Sequence, residues 1–90
     1  MSNIVLVSGA NQGIGYEIAK QLSQIPGYHV LLGSRDLDKG KTAASQIQKA
    51  GGSIKAIQLD VTDRESLTSA RQYIETKFGR LDVLVSVRPI

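Results

Sequence analysis

The stretch SGANQGIG, residues 8–15, decides the fold class of this 90-residue chain. It follows the apolar run IVLV at 4–7, which is typical of a buried β-strand, and it precedes a segment whose apolar residues have helical spacing. A glycine-rich turn in front of a helix exposes backbone N–H groups at the positive end of the helix dipole, where pyrophosphate binds. In such a turn Gly9 permits the sharp bend, Gly13 the close approach of a ligand, and Gly15 the packing of helix against strand.

The rest of the chain alternates strand and helix patterns, which is typical of βαβ units around a parallel sheet. The patterns predict four strands, at 4–8, 28–34, 54–60 and 81–87, and three helices, at 14–25, 36–50 and 62–78. Right-handed crossovers place the first two helices on one face of the sheet and the third on the other, with strand order 3-2-1-4. We therefore predict an α/β protein, the Rossmann-type βαβαβαβ half of an incomplete doubly wound fold.

Two of the predicted helices carry specific signals. The first has an apolar stripe and ends at Pro26-Gly27; the stripe consists of Ile14, Ile18, Leu22 and Ile25. The third begins with a capping box, in which the Thr62 hydroxyl and the Glu65 carboxylate satisfy backbone donors, and it ends before Gly79. Its expected inner face consists of Leu67, Ala70, Ile74 and Phe78.

Composition excludes several classes of function. The net charge is +3, but the basic residues are scattered among acids without an aromatic-rich stripe, so we expect no nucleic-acid partner. Without cysteine there is no disulfide or thiolate metal site, and His29, the one histidine, cannot build a metal centre alone. No apolar run is long enough for a membrane span or a signal peptide, so we expect a cytoplasmic protein without a membrane partner.

The end of the second strand, Gly33-Ser34-Arg35-Asp36, lies where a doubly wound fold meets the adenosine ribose of a dinucleotide. An acid there binds the ribose 2′-hydroxyl of NAD, whereas an arginine pairs with the 2′-phosphate of NADP. Arg35 therefore favours NADP(H) over NAD, with Ser34 in the place that the NAD-type acid needs. Two alternatives stay open: Asp36 is the ribose acid, or both charged residues only cap the helix and face solvent.

Together these motifs resemble the N-terminal third of a classical short-chain dehydrogenase/reductase, most closely the carbonyl reductase branch, up to Val85. SGANQGIG is similar to the family's TGxxxGIG, GSRD to its NADP-type strand end, LDVTD at 59–63 to its adenine contact, and LDVLV at 81–85 to the approach to its NNAG segment. The resemblance implies that Asp60 accepts from the adenine amino group and that the Val61 backbone flanks the ring. The alternative is a strand end that leads into the helix cap. The predicted cofactor-binding residues are Gly9, Asn11, Gln12, Gly13, Ile14, Gly15, Ser34, Arg35, Asp60 and Val61.

The resemblance stops after Val85, where the family continues Asn-Asn-Ala-Gly and this chain reads Ser86-Val87-Arg88-Pro89-Ile90. We expect a truncated gene model or alternative product, in which residues 1–90 are the dinucleotide-binding part and the catalytic half, with its Ser and YxxxK, is absent. Two YxxxK spacings occur, at 16–20 and 73–77. Tyr73 lies far along its helix, at the wrong end for a ligand, and Tyr16 reads as a surface or packing aromatic.

The expected function is that of an NADP(H)-binding fragment without turnover of its own. The alternatives are a non-catalytic NADP-sensing or protein-interaction module and a truncated product without stable function. Because one helix must cover a face that further helices cover in the complete fold, we expect self-association through this face and the edge of the fourth strand. The bare face is expected to contain Val5, Val7, Leu31, Val83 and Val85, or their alternate-facing neighbours.

Overall fold

A computed structural model describes residues 3–9, 13–60 and 62–86 of the chain. Its elements alternate strictly, in the order β1 (Asn3–Ser8), α1 (Gly13–Ser23), β2 (Tyr28–Ser34), α2 (Leu37–Lys49), β3 (Ile54–Gln58), α3 (Arg64–Phe78) and β4 (Val83–Ser86). The strands form one parallel sheet in the order β3-β2-β1-β4. The predicted α/β class and strand order are therefore confirmed. Strand β3 ends two residues earlier than predicted, and Val87, predicted in β4, lies outside the described residues.

The parallel register brings the carboxyl ends of all four strands to one edge. Ser8 at the end of β1 pairs with Gly33 of β2 on one side and with Ser86 of β4 on the other. Ser34 pairs with Gln58 at the end of β3. This carboxyl edge is where ligands bind in open α/β sheets.

One face of the sheet, which we call the closed face, is covered by α1 and α2. Its core joins Val5, Val7, Val30 and Leu32 of the strands to Ile47 of α2, all fully buried. The small residues Ala19, Ala43 and Ala44 let both helices approach the sheet closely. Burial of branched aliphatic side chains on this scale is the main stabilising contribution in a domain of this size.

The opposite face, the open face, is covered by α3 alone within the part of the chain that the structure describes. Ala70 and Ile74 of α3 pack on Leu6, Leu31, Ile57 and Leu59, with Phe78 half-buried against them, as predicted for the third helix. Leu67, predicted on the same inner face, is instead exposed. Beside this contact lies a cavity of about 620 Å³, whose apolar lining includes Leu6, Leu59, Leu67, Leu81 and Leu84. Leu84 is 61% exposed and Leu67 43% exposed. Two sets of strand residues were predicted for the bare face. In β1 and β4 the second set, the alternate-facing neighbours, is the correct one, because Val5 and Val7 lie buried under the closed face.

The predicted apolar stripe of α1 is wrong at both ends. Ile14 is 72% exposed, and Ile25, 43% exposed, lies beyond the end of the helix. The buried line runs instead through Gly15, Ala19 and Ser23, four residues apart. These small side chains bring the helix axis close to the sheet, so that Ile18 and Leu22 pack half-buried beside the line of contact.

The N-cap of α3 also differs from the prediction. Asp63, not Thr62, is the N-cap residue, and its Oδ1 accepts the Glu65 N–H at 3.0 Å. Thr62 instead donates both its amide and its hydroxyl to Asp60 Oδ1, at 3.0 and 2.7 Å. A hydroxyl engaged in this way no longer serves the helix, and the aspartate one residue nearer takes its place. The end at Gly79, in the left-handed conformation with φ 80°, is as predicted.

Candidate functional site

The glycine turn opens onto the carboxyl edge between β1 and α1. Gly9 and Gly13 both have φ 67°, in the left-handed region that glycine adopts without strain. A Cβ added at Gly13 would meet no atom within 4 Å, so conformation rather than crowding requires glycine there, and the space beside it is open. Gly15 is buried in the first turn of α1, consistent with its predicted packing role. Asn11 and Gln12, also predicted to bind the cofactor, lie outside the described residues.

The N-terminus of α1 is electrostatically suited to an anion. Its first turn contains no acidic residue, whereas α2 has Asp38 and α3 has Glu65 in that position. The partial positive charge at the start of α1 is therefore not neutralised by a carboxylate in that turn. Ile14, predicted as a cofactor contact, holds its side chain in solvent at this end, which leaves its backbone N–H as the group suited to a phosphate oxygen.

At the end of β2 the three neighbouring polar residues have separate tasks. Ser34 is buried, and its hydroxyl donates to the Asp36 carbonyl oxygen at 2.8 Å. Asp36 is the N-cap of α2 and accepts the Asp38 and Lys39 N–H groups at 3.0 and 3.3 Å. The interpretation of Asp36 as a helix cap is therefore confirmed. The side chain of Arg35 is 79% exposed and lies across the gap towards β3.

After β3 the chain holds Asp60 firmly. Its N–H donates to Ser66 Oγ in the first turn of α3 at 2.9 Å, and its Oδ1 accepts both donors of Thr62. The hydrogen bonds from the Thr62 hydroxyl and amide lower the pKa of Asp60 below its ordinary value, and the nearby Arg35 adds to this against a raising effect of desolvation. Its second oxygen, Oδ2, lies 3.7 Å from Arg35 Nε. The predicted adenine-flanking residue Val61 lies outside the described residues.

Arg35 and Asp60 thus meet across a cavity of about 560 Å³ between the ends of β2 and β3. We call it the adenosine-side cavity. Among the described residues, its lining includes one arginine, Arg35, and four acids: Asp36, Asp60, Asp63 and Glu65. Ser66 was not predicted at this site, and Thr62, although it lies in the motif at 59–63, was predicted only as a helix cap. The spacing Asp-x-Thr directly after a strand, typical of an Asx-turn, is the signal that would have found Thr62.

The two tyrosines with YxxxK spacing serve packing. The Tyr16 hydroxyl donates to Gln46 Oε1 at 3.3 Å, and its ring lies against the closed-face core. Tyr73 packs edge-on to Phe78 with ring centroids 6.4 Å apart, and Lys55 Nζ lies 5.4 Å from its centroid. The contacts of Tyr16 agree with its predicted role as a surface or packing aromatic. Tyr73 lies in the last half of α3, beside Lys55 near the start of β3 and away from the carboxyl edge, as expected from its position along the helix.

His29 lies near the start of β2, away from the carboxyl edge. Its Nδ1 is 2.8 Å from Ser53 Oγ, and its ring lies 5.3 Å from that of Phe78. Burial, with the positive charge of Lys55, lowers the pKa of His29. Among the described residues no group of three histidines or acids is placed to hold a metal ion. In the same part of the chain, no helix has both the length and the hydropathy that crossing a membrane requires.

Comparison with known proteins identifies the group of proteins to which this arrangement corresponds. The model of the short chain dehydrogenase family matches residues 3–87. The short-chain dehydrogenase/reductase ATR10 of Stachybotrys chlorohalonatus is 44% identical over 84 residues, which span 90% of this chain and 30% of that protein. Carbonyl reductase (NADPH) 3 of Homo sapiens is 39% identical over 85 residues, 94% of this chain and 31% of that protein.

Solved structures agree with the sequence matches. Menthone neomenthol reductase from Mentha piperita superposes with a TM-score of 0.92 and 39% identity, covering all of this chain and 32% of that one. A metagenomic short-chain oxidoreductase in complex with NADP has a TM-score of 0.83 and 30% identity, covering 93% of this chain and 38% of that one. The chain thus spans about three tenths of the length of the curated relatives it matches.

Proposed function

The chain belongs to the short-chain dehydrogenase family, and from that premise we propose that it binds NADP(H) along the carboxyl edge of its sheet. The observation that carries the proposal is the pairing of an acid-free glycine turn at α1 with an exposed arginine at the end of β2. The first suits the pyrophosphate and the second a 2′-phosphate. Relatives named for NADPH, and a neighbour solved with NADP, support the same cofactor.

The pyrophosphate is held by backbone groups of residues 9–15. Left-handed Gly9 and Gly13 shape the turn, and Gly15 lets α1 start close to the sheet. Ile14 contributes its N–H, and Asn11 and Gln12 belong to the proposed set on the sequence motif. Charge complementarity comes from the helix dipole rather than from a side chain.

The adenosine lies in the cavity between the ends of β2 and β3. Arg35 pairs with the 2′-phosphate, and Asp60 with the Val61 backbone faces the adenine. The Asp36 carboxylate already accepts two N–H groups at the start of α2, which favours Arg35 over Asp36 as the residue that meets the ribose substituent. Ser34 belongs to the proposed set, and its hydroxyl bond to the Asp36 carbonyl shapes the turn that presents Arg35.

The experiment is a titration of the purified chain with NADPH and with NADH, repeated on Arg35→Ala. Loss of a charge-assisted pair worth about 1.5–3 kcal/mol weakens NADPH binding about tenfold or more and leaves NADH nearly unchanged. Arg71→Ala is the matched control, because Arg71 is 81% exposed against 79% for Arg35 and also makes one ion pair, on α3. Equal weakening of both cofactors by Arg35→Ala contradicts the assignment.

Residues 1–90 form the dinucleotide-binding part of a Rossmann domain and do not turn over a carbonyl substrate by themselves. The proposal follows from the packing roles of Tyr16 and Tyr73, since reduction of a carbonyl by NADPH requires a proton donor beside the hydride acceptor. Oxidation of NADPH in the presence of a reactive dicarbonyl is expected to stay at background. Turnover that Tyr16→Phe abolishes contradicts this part of the proposal.

The open face favours a second role, self-association. The cavity between α3, β1 and β4 has an apolar floor, and its surroundings carry charges of both signs: Arg71, Glu75, Arg80 and Asp82. Such a balanced rim is complementary to a second copy of itself in a two-fold arrangement. Strand β4 is also last in the order of the described strands, and no described strand pairs with its outer edge. Sedimentation velocity tests this role, and a monomer across the accessible concentrations contradicts it.

A further inference from the structure

Asp60 and Arg35 form an ion pair at the place proposed for the 2′-phosphate, the group that distinguishes NADP from NAD. Asp60 Oδ2 lies 3.7 Å from Arg35 Nε. The pair joins the end of β2 to the segment after β3 across the adenosine-side cavity. Any 2′-phosphate that binds Arg35 therefore competes for the guanidinium with a carboxylate already in place.

The carboxylate cannot easily move aside. Its Oδ1 accepts the amide and hydroxyl of Thr62, and its own N–H is bound by Ser66 Oγ. Arg35 has no comparable restraint from the residues that the structure describes, and its long side chain is mostly exposed. The fixed partner is thus the acid, and the arginine is the partner that must turn towards a ligand.

The surroundings strengthen this competition. Asp36, Asp63 and Glu65 line the same cavity, so in the described part of the chain four carboxylates accompany one guanidinium. Asp36 and Asp63 accept helix N–H groups, and the helix ends offset part of their charge. Asp60 is the carboxylate of this set that pairs directly with Arg35.

We infer that Asp60 limits the preference of this site for NADP(H) over NAD(H), because it holds part of the Arg35 charge that the 2′-phosphate uses. The inference rests on the proposed function. It makes Asp60 a specificity-determining residue that acts through Arg35, in addition to any contact with adenine. An adenine contact is common to both cofactors, so it cancels in the ratio of their affinities.

The test is Asp60→Asn, measured as the ratio of the NADPH and NADH dissociation constants in one buffer of physiological ionic strength. Asparagine keeps the Oδ1 acceptor for Thr62 and replaces Oδ2, the atom nearest Arg35, by an amide group that cannot pair with a guanidinium. From the usual strength of exposed ion pairs, the preference for NADPH is expected to rise about two- to fivefold. Because both cofactors are measured on the same protein, the folded fraction cancels from the ratio.

Asp63→Asn is the matched control. It removes one negative charge from the same cavity, and asparagine caps a helix about as well as aspartate, yet Asp63 makes no ion pair with Arg35 among the described residues. Its effect on the ratio is expected to stay below about twofold, since it is only a screened charge. On the Arg35→Ala background, Asp60→Asn is expected to leave the ratio unchanged.

The inference is overturned if the preference for NADPH over NADH stays constant or falls in Asp60→Asn, or if it rises equally in Asp63→Asn. If the wild-type chain still prefers NADPH, the proposed function stands. A wild-type chain that binds neither cofactor overturns both. If Asp60→Asn does not fold, Asp60→Ser takes its place, because a serine hydroxyl also accepts the N–H two residues on. The same rise in the ratio is then expected.

Discussion

The closed and open faces of the sheet are made from alternate residues of the same strands, yet they reach different degrees of burial. On the closed face Val5 and Val7 are fully buried beneath two helices. On the open face Leu84, the neighbour of Val83 and Val85 in β4, is 61% exposed beside a single helix. Strands of a doubly wound sheet are apolar on both sides because helices cover both. The difference shows that, among the described residues, two helices bury the closed face whereas one helix covers part of the open face.

The proposed binding residues belong mainly to the better-packed part. The turn into α1 and the turn from β2 into α2 both join strands to closed-face helices. Asp60, in contrast, precedes α3 on the open side. The proposed cofactor site therefore includes residues from both regions, and its Asp60 side depends on the packing of α3.

The largest contrast is expected from deleting one aliphatic side chain on each face. Ile47→Ala removes a fully buried side chain of the closed face and is expected to lower the free energy of unfolding by about 2–5 kcal/mol. Leu84→Ala removes one that is 61% exposed and is expected to cost less than about 1 kcal/mol. Urea unfolding followed by circular dichroism measures both. Similar losses in the two variants would mean that the open face is covered as well as the closed one.

If the chain self-associates through the open face as proposed, a charge on that face is expected to disperse the assembly. Leu84→Lys places an ammonium group in the apolar lining of the cavity, where association would have to desolvate it. We expect a shift towards monomer in sedimentation velocity, with helical content unchanged. Lys41, exposed on α2, provides the control variant Lys41→Leu, which alters one charge without touching the open face. If Leu84→Lys leaves the assembly intact, the contact between copies lies outside the open face.

A smaller contrast is expected from the two glycines that follow α2 and α3. Gly51 and Gly79 have φ 92° and 80°, and a Cβ at either would meet no atom within 4 Å. Alanine therefore introduces the same backbone strain at both sites, about 1–2 kcal/mol. If α3 folds in one cooperative unit with the closed face, both variants lose about the same free energy of unfolding. Loss at Gly51→Ala alone would show that α3 opens independently.

The smallest expected effect is a shift in the pKa of His29, which depends on the packing of α3 against the sheet. His29 lies against Phe78 at the end of α3, and burial together with Lys55 lowers the pKa of His29 below 6.5. The unfolded chain then binds the proton more readily, so stability is present above about pH 6.5 and is lost as the pH falls through the folded pKa. As the one histidine, it gives a single ring resonance for an NMR titration. Phe78→Ala is expected to move the pKa back towards 6.5, and an ordinary pKa in the wild type would indicate an undocked helix.

Much of the fold was predictable because the alternation of strands and helices and the right-handedness of their crossovers together lead to one strand order. The glycine turn at 8–15 and the alternation of strands and helices lead to the order β3-β2-β1-β4, which the structure confirms. The stripe of α1 was wrong because spacing rules count large apolar residues such as Ile14, whereas the helix contacts the sheet through Gly15 and Ala19. Small residues carry little signal in a hydropathy pattern.

For the candidate site, the sequence predicted which residues lie at the ends of individual strands, but not which of them contact one another. Arg35 and Asp60 were recognised separately, each at the end of its strand, but their pairing depends on the register of β2 against β3. The wrong prediction of Thr62, rather than Asp63, as the N-cap of α3 also comes from a contact between side chains that the sequence does not show. Both residues are good caps in isolation, and the choice follows from the Asp60 carboxylate that captures the Thr62 hydroxyl.

Hydrogen exchange of the wild-type chain, measured by mass spectrometry with and without saturating NADPH, tests the central claim most directly. Without cofactor we predict slower exchange in β1, β2 and the closed-face helices than in α3 and β4. With NADPH we predict added protection at 8–15, 33–36 and 59–62, and less at the same concentration of NADH. Protection that appears only over α3 and β4, or none with either cofactor, would contradict the account.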